Sequence, residues 1–205
     1  MKNTIPSFLF ILKERLRGKN FLHEFYFKSK KTIDIGCGEG EFLALNKKFI
    51  RGVDLNESVI KKLADEGFSV KVASADRLPY EDEEFEMAHC RNVIEHLAPK
   101  TAHGMLCEAS RVLKKGGMLV LGSEVMTKKF WGTFGHIRPY PPGSVRKLLR
   151  ADGREEFEPI SSLEWEGVFY LGDYFSNRML YFFSALLGYY TPLFRREYFL
   201  VLRKK

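Results

Sequence analysis

Residues 32–43 read Thr-Ile-Asp-Ile-Gly-Cys-Gly-Glu-Gly-Glu-Phe-Leu, and this stretch decides the fold. A short apolar strand leads into three glycines at alternating positions, Gly36, Gly38 and Gly40, and a helical pattern follows them. Glycines at such a junction let the chain turn sharply and let a ligand lie directly against the backbone. The stretch therefore predicts a strand, a ligand-binding loop and a helix at the start of an α/β domain.

The spacing of the glycines indicates what kind of ligand the loop holds. The order is G-x-G-x-G, whereas the dinucleotide fingerprint is G-x-G-x-x-G and places a pyrophosphate on the helix N-terminus. Asp34, at the strand end, also argues against a phosphate, because its carboxylate would repel a dianion and attract an ammonium or sulfonium group. We therefore expect a cationic ligand without phosphates, with a nicotinamide-dependent oxidoreductase as the weaker alternative.

The remainder of the chain alternates apolar runs with helical patterns, which is typical of an α/β fold with a parallel sheet. Strands are predicted over 31–35, 49–54, 69–73, 85–90, 118–122, 157–163 and 198–203. Helices are predicted over 39–47, 58–66, 100–113, 141–151 and 173–187.

Composition sets the broad class of protein. The 205 residues are 45% apolar and 29% charged, and Lys and Arg exceed Asp and Glu by 7, as in an ordinary basic globular domain. The basic excess also suits an acidic partner, but no nucleic-acid-binding motif is present, so nucleic acid is not expected.

Three cysteines without a C-x-x-C pair fit a reducing compartment. No signal peptide is evident, and the longest aromatic-rich apolar run, 179–190, is shorter than the roughly 20 residues that cross a bilayer. We expect a cytoplasmic protein.

Two acidic residues extend the pattern beyond the glycine loop. Asp54 ends the second predicted strand, 20 residues after Asp34, where a carboxylate in a doubly wound sheet reaches the ribose of a nucleoside. A helix cap is the alternative interpretation of Asp54. Asp76 follows the third predicted strand and could accept a hydrogen bond from the amine of adenine, the alternative being an exposed turn.

Two further segments complete a family pattern. Residues 85–97 read Phe-Glu-Met-Ala-His-Cys-Arg-Asn-Val-Ile-Glu-His-Leu, and residues 111–120 read Arg-Val-Leu-Lys-Lys-Gly-Gly-Met-Leu-Val. With the three segments before them, they resemble a class I S-adenosylmethionine-dependent methyltransferase. More narrowly, the Glu-His-Leu and Leu-Lys-x-Gly-Gly endings resemble the small-molecule, type 11-like group. The resemblance is dense over residues 30–125 and thins beyond them.

The resemblance implies a Rossmann-like sheet of seven strands in the order 3-2-1-4-5-7-6, with the last strand antiparallel and helices on both faces. The length of the chain suits one domain over 1–205. Within it, 1–29 is a helical lead, 30–125 binds the cofactor, and 126–205 forms the substrate side and the C-terminal region.

The resemblance also implies that the cofactor is S-adenosylmethionine and assigns residues to its parts. Asp34 and the glycines face the methionine part, Asp54 faces the ribose, and the adenine lies near Leu55 and the 75–77 loop. The full predicted set of cofactor-binding residues is Asp34, Gly36, Cys37, Gly38, Gly40, Asp54, Leu55, Ala75, Asp76, Arg77 and Arg91. We interpret Cys37 as a small side chain in a tight turn rather than as a nucleophile.

The catalytic group is harder to assign. His136 lies in a polar loop beyond the fifth strand, where ligands bind in open α/β sheets, and it is the candidate general base for O-methylation. A histidine that only orders its loop is the alternative. His96, after Glu95, is expected to be structural. In some relatives such a Glu-His pair helps to bind a divalent metal, but Asn92 stands where an upstream acidic ligand would be expected, so no metal is predicted.

An aromatic-rich segment, 165–194, leaves the acceptor open. It is interpreted either as core packing or a homodimer face, or as an apolar lid over a lipid-linked acceptor with peripheral membrane contact. The predicted acceptor is therefore a small molecule or a lipid-like compound. The remaining alternative is a module that binds the cofactor without catalysis.

Overall fold

A computed structural model describes residues 23–150, 156–172, 183 and 195–205. The predicted helix 173–187, apart from residue 183, lies outside the described residues. Most of the predicted helical lead does so too, apart from a π-helical turn at His23–Phe27. The described residues place every strand in one sheet. Its strands are β1 Thr32–Ile35, β2 Ile50–Asp54, β3 Val70–Val72, β4 Phe85–Arg91, β5 Leu113–Glu124, β6 Leu163–Gly172 and β7 Arg195–Lys204.

The strand order is β3-β2-β1-β4-β5-β7-β6, which confirms the predicted topology. The neighbours from β3 to β5 are parallel, whereas β7 is antiparallel to both β5 and β6. Parallel strands end at the same edge of a sheet, so the loops that follow β1, β2, β4 and β5 meet there. That edge is where a ligand is expected.

Four α-helices lie in the described residues. They are α1 Glu57–Asp65, α2 Pro99–Val112, α3 Lys128–Trp131 and α4 Pro142–Leu148. A membrane-crossing helix is absent from this part of the chain, where the longest helix, α2, has 14 residues.

Two hydrophobic clusters cover the two faces of the sheet because side chains alternate along each strand. Alternate residues of β1, such as Ile33 and Ile35, pack with the buried side of α2. On the opposite face, Phe27 packs against Met87, Val120 and other residues of the central and antiparallel strands. The sheet is therefore buried on both faces, as a parallel sheet requires.

Two predicted elements are wrong. Residues 39–47 form turns with a short 3₁₀ segment, Leu43–Leu45, instead of a helix, because the glycine turn uses the start of this connection and Ile50 already begins β2. The predicted strand 157–163 starts only at Leu163. Pro159 has no amide hydrogen for a strand ladder, and the amide of Ile160 bonds to the Leu148 carbonyl at 2.7 Å.

Candidate active site

The glycine loop owes its shape to three positive φ angles: 73° at Gly36, 47° at Gly38 and 82° at Gly40. A Cβ atom on Gly36 would lie 2.3 Å from a methyl carbon of Val93, and one on Gly40 would lie 2.7 Å from a methyl carbon of Leu63. A Cβ on Gly38 would meet nothing within 4 Å. Two glycines therefore permit close packing, whereas the middle one faces open space in which a ligand can approach the backbone.

The carboxylate of Asp54 is fixed beside this loop. Its Oδ2 accepts the Gly38 amide at 3.0 Å, and its Oδ1 accepts the Asn56 amide at 2.9 Å. The cap of α1 is Asn56, whose side-chain oxygen accepts the amide of Val59, so Asp54 does not act as the helix cap. Each carboxylate oxygen retains a lone pair, which leaves Asp54 able to accept ribose hydroxyls.

Asp34 is buried and has a partner that the sequence did not predict. Its Oδ1 lies 2.6 Å from Nδ1 of His89, and only 3% of Asp34 is exposed. The His89 ring stacks on Phe42 with centroids 3.8 Å apart. The register of β1 and β4 pairs Asp34 with His89, so strand pairing is the signal that could have found this contact. The role of Asp34 towards the cofactor ammonium stays a prediction.

The thiol of Cys37 is buried under the loop. Burial raises the pKa of this thiol to about 12, and the nearby carboxylates of Asp34 and Asp54 add to the shift. The sulfur also packs against Gly52, where a Cβ would come within 2.8 Å of it. Cys37 is therefore a neutral packing residue at physiological pH, which agrees with its interpretation as a small side chain in a tight turn.

The residues predicted near adenine line the loops after β2 and β3. Leu55 follows Asp54 and is 66% exposed, which provides an apolar surface for a flat base, whereas Ala75 is buried in the core. Asp76 is exposed and hydrogen-bonded to the Ser74 hydroxyl, and Arg77 is exposed with its amide bonded to the Ser74 carbonyl. Their contacts with the base stay predictions.

Arg91, at the end of β4, makes a bidentate ion pair. Its Nε and a terminal nitrogen donate to the Glu197 carboxylate at 2.7 and 2.9 Å, and its guanidinium lies 5.4 Å from the Phe199 ring centre. Gly122 on the intervening strand makes room for this crossing, because a Cβ there would lie 2.7 Å from Phe199 and 3.1 Å from Arg91. Arg91 thus links β4 to β7 across β5.

His136 lies close to the 3₁₀ turn that follows β4, Ile94–His96. Its Nδ1 is 2.9 Å from the Phe130 carbonyl, and the Nδ1 of His96 is 2.8 Å from the Gly135 carbonyl. A carbonyl only accepts hydrogen bonds, so in the neutral form each ring donates from Nδ1 and keeps its lone pair on Nε2. The two ring centres are 4.9 Å apart.

Glu95 lies beside this pair of histidines, an association that the sequence did not predict. It is fully buried; Oε2 accepts the Ser123 hydroxyl at 2.9 Å, and Oε1 has no hydrogen-bond partner among the described residues. Burial raises the pKa of Glu95. The amides of Ile137 and Arg138 donate to the Glu95 carbonyl at 2.8 and 3.4 Å and hold the two segments together. No local sequence signal joins residues so far apart in the chain.

The sheet order, the antiparallel β7 and the glycine loop with an acid after β2 define the fold of class I S-adenosylmethionine-dependent methyltransferases. A family model described as "Methyltransferase domain" matches residues 33–121. Residues 33–121 therefore form a class I S-adenosylmethionine-dependent methyltransferase domain, with S-adenosylmethionine as its cofactor. The family resemblance in the sequence is confirmed.

Individual proteins show the same likeness. The chain is 36% identical over 91 residues to the tRNA (carboxymethyluridine(34)-5-O)-methyltransferase of Arabidopsis thaliana, covering 43% of this chain and 22% of that protein. It is 30% identical over 104 residues to the 27-O-demethylrifamycin SV methyltransferase of Amycolatopsis mediterranei, covering 45% and 38%. The chain thus spans well under half of the length of these relatives.

A solved structure extends the likeness of fold to nearly the whole chain. The crystal structure of a SAM-dependent methyltransferase from Archaeoglobus fulgidus superposes with a TM-score of 0.65 at 22% identity. The superposition covers 96% of this chain and 99% of that one. At this identity the match establishes the fold and leaves the acceptor open.

Proposed function

We propose that this chain transfers a methyl group from S-adenosylmethionine to an oxygen atom of a small-molecule or lipid-like acceptor. The observation that carries the proposal is the pair of imidazoles, His96 and His136, with Nε2 lone pairs at the edge of the sheet that holds the glycine loop. Val93 packs on Gly36, so the turn that bears His96 begins in contact with that loop.

The residues around the glycine loop fit S-adenosylmethionine. The backbone at Gly38 is open to a ligand, and the Asp54 carboxylate beside it has lone pairs for two ribose hydroxyls. The exposed Leu55 next to it suits an adenine face. When bound, S-adenosylmethionine supplies a methyl group that is already activated on a sulfonium. The chain therefore has to bind, orient and deprotonate the acceptor.

His136 is the proposed general base. Its Nε2 accepts the proton of the acceptor hydroxyl as the oxygen attacks the methyl carbon, and the pair of electrons of the broken carbon–sulfur bond stays on sulfur. The Phe130 carbonyl fixes the tautomer in which Nε2 is free to accept that proton. Holding the reacting atoms in line contributes roughly 7–11 kcal/mol in well-oriented systems.

The surface next to His136 supports an apolar acceptor. In segment 126–138 the large apolar side chains Met126, Trp131, Phe134 and Ile137 are each more than half exposed. Lys128, Lys129 and Arg138 are exposed in the same segment. A cationic surface with protruding aromatic residues suits peripheral contact with an anionic membrane. Most of the aromatic-rich segment 165–194, namely 173–194 apart from residue 183, lies outside the described residues, and with it most of the proposed homodimer face.

An RNA acceptor is the second candidate. The similarity to a tRNA methyltransferase and the net charge of +7 favour it. We expect methyl-labelled S-adenosylmethionine and cell extract to yield label in the lipid or small-molecule fraction. Label found only in RNA would establish the second candidate, and label in no fraction, despite binding of S-adenosylhomocysteine, would identify a module that binds without catalysis.

A variant series connects this assay to the site. His136→Gln should lower the labelling rate about 10²–10⁴-fold, the usual contribution of a general base, while S-adenosylhomocysteine binding stays unchanged. His103→Gln is the matched control, because His103 bonds through Nε2 to the Glu158 carbonyl on another part of the surface. Full activity in His136→Gln would rule out the proposed base.

A further inference from the structure

We propose that Glu95, His96 and His136 form a binding site for a first-row divalent transition-metal ion such as Zn²⁺. One ligand atom from each of these three residues lies within 4.8 Å of those of the other two. Two atoms that each bond to one ion at about 2.0–2.2 Å lie no more than about 4.4 Å apart, so any pair at the 4.8 Å limit has to approach by a few tenths of an ångström when the ion binds. The inference concerns ion binding and does not depend on the acceptor or on methyl transfer.

The two histidines are oriented as metal ligands are. Nδ1 of each ring donates to a backbone carbonyl, that of Gly135 for His96 and that of Phe130 for His136. Metal-ligating histidines generally donate their other nitrogen in this way, which fixes the ring and makes the free nitrogen more basic. Each ring therefore presents a fixed Nε2 lone pair.

The carboxylate of Glu95 provides the independent observation. Glu95 is completely buried, Ser123 satisfies Oε2, and Oε1 has no hydrogen-bond partner among the described residues. A buried acceptor without a partner is costly, and such atoms in native proteins call for an explanation such as a bound ion. An ion held also by the two imidazoles would satisfy Oε1.

The backbone around the cluster keeps the three groups together. A Cβ on Gly135 would lie 3.2 Å from Nδ1 of His96, so a glycine permits the close approach of that ring to the loop. The Ile137 amide bonds to the Glu95 carbonyl at 2.8 Å, which fixes the loop that carries His136 against the turn. The ligands are thus positioned by backbone contacts that do not require the ion.

The donor set selects the class of ion. Two imidazole nitrogens and one carboxylate suit Zn²⁺ and its first-row neighbours, whereas Mg²⁺ and Ca²⁺ prefer oxygen ligands. His96 is exposed, so a position remains for water or another oxygen ligand. The sequence predicted no metal because Asn92 occupies an upstream position. In the structure the third donor is His136, from beyond β5.

Ion binding and general-base catalysis both need the lone pair on Nε2 of His136, so the two cannot occur at the same time. When Nε2 of His136 is bonded to an ion, it cannot accept a proton, and when it accepts a proton, it cannot bind the ion. Metal binding is therefore measured directly rather than through activity.

The test uses the full chain, treated with EDTA and then dialysed. We expect calorimetric titration with Zn²⁺ to show one ion per chain and Co²⁺ to give the visible absorption of a low-symmetry nitrogen and oxygen site. Glu95→Gln and His136→Gln should each weaken Zn²⁺ binding by at least about 10–100-fold, the loss seen even for outer partners of metal sites. Binding of S-adenosylhomocysteine, measured on the same samples, reports whether each variant is folded.

The control is His103→Gln, because His103 and the exposed Cys107 lie 3.9 Å apart and could hold zinc at the surface. Unchanged Zn²⁺ affinity in this control, with loss in His136→Gln, supports the site. Absence of stoichiometric binding in the wild type, equal affinity in His136→Gln, or loss only in His103→Gln would overturn it. His136 is half-buried in a loop, so its variant remains informative even where Glu95→Gln fails to fold.

Discussion

The cofactor side and the acceptor side of this site differ in how completely their polar groups are paired. On the cofactor side, Asp54 accepts two backbone amides and Asp34 is bonded to His89. On the acceptor side, Glu95 has an unpartnered oxygen among the described residues, and His96 and His136 each keep an Nε2 lone pair. In the first region both carboxylates are held by protein partners, and Asp54 keeps lone pairs for the ribose. In the second region a buried carboxylate oxygen has no partner among the described residues, which leaves it free to bind an ion.

Gly36→Ala, on the cofactor side, has the largest expected effect on stability. The added Cβ would lie 2.3 Å from Val93 at a φ of 73°. We expect destabilisation by about 2–5 kcal/mol from left-handed strain and overpacking together, measured by urea unfolding.

Gly38→Ala is its matched control. The added Cβ meets nothing within 4 Å, so only the strain of about 1–2 kcal/mol remains, while binding of S-adenosylhomocysteine weakens because the Cβ occupies the ligand's space. Equal destabilisation by the two variants would contradict the division between packing and ligand-facing glycines.

Asp54→Ala tests whether the paired carboxylate also binds the ribose. One charge-assisted hydrogen bond contributes about 1.5–3 kcal/mol, so binding of S-adenosylhomocysteine should weaken roughly tenfold or more, as measured by calorimetry. Asp65→Ala, at the far end of α1, is the control and should bind normally. Unchanged affinity in Asp54→Ala would refute the ribose assignment.

The same two regions explain what the sequence could predict. Gly36, Gly38 and Asp54 lie within a short stretch whose spacing is itself the signal, and both the fold class and the strand order followed from it and from the family resemblance. His136 was found, but its association with Glu95 was not, because 41 positions and a whole helix and strand separate them.

Long-range pairing also explains the errors in secondary structure. β6 starts at Leu163 because its ladder is set by β7, which pairs Leu163 with Lys204. Local propensity at 157–163 carries no information about that partner. In the same way, the glycine turn that forms the ligand loop overrides the helical pattern at 39–47, where only Leu43–Leu45 is 3₁₀.

Arg91 lies between the two regions. It is a predicted cofactor-binding residue, and its variants test whether its role is structural instead. Its bidentate bond to the nearly buried Glu197 predicts that Arg91→Met leaves a buried carboxylate unpaired and costs about 1–3 kcal/mol in unfolding experiments. The double variant Arg91→Met/Glu197→Leu should recover part of that loss, because both polar partners are then absent. A variant that keeps its stability but loses affinity for S-adenosylhomocysteine would instead make Arg91 a cofactor ligand.

The smallest predicted effect is a pH dependence on the cofactor side. Glu108 in α2 bonds to Arg111, and its Oε2 accepts the Leu78 amide at 2.7 Å, which anchors the loop that carries Asp76. The hydrogen bond from Arg111 holds the pKa of Glu108 below its ordinary value of 4.5. A group whose pKa is depressed by folding stabilises the folded state above its unfolded pKa. That contribution is lost as the pH falls from 4.5 through the folded pKa.

Glu108→Gln separates this contribution from general acid denaturation. The variant should be less stable than the wild type at neutral pH, and the difference between them should shrink as the pH falls below 4.5, as urea unfolding at several pH values would show. Because Leu78 and Arg111 hold the loop through this carboxylate, affinity for S-adenosylhomocysteine should fall more steeply over the same pH range in the wild type than in the variant. A stability difference that grows in acid would mean that Glu108 is not ionised in the folded protein, and the cofactor side would then lack one of the paired groups that distinguish it from the acceptor side.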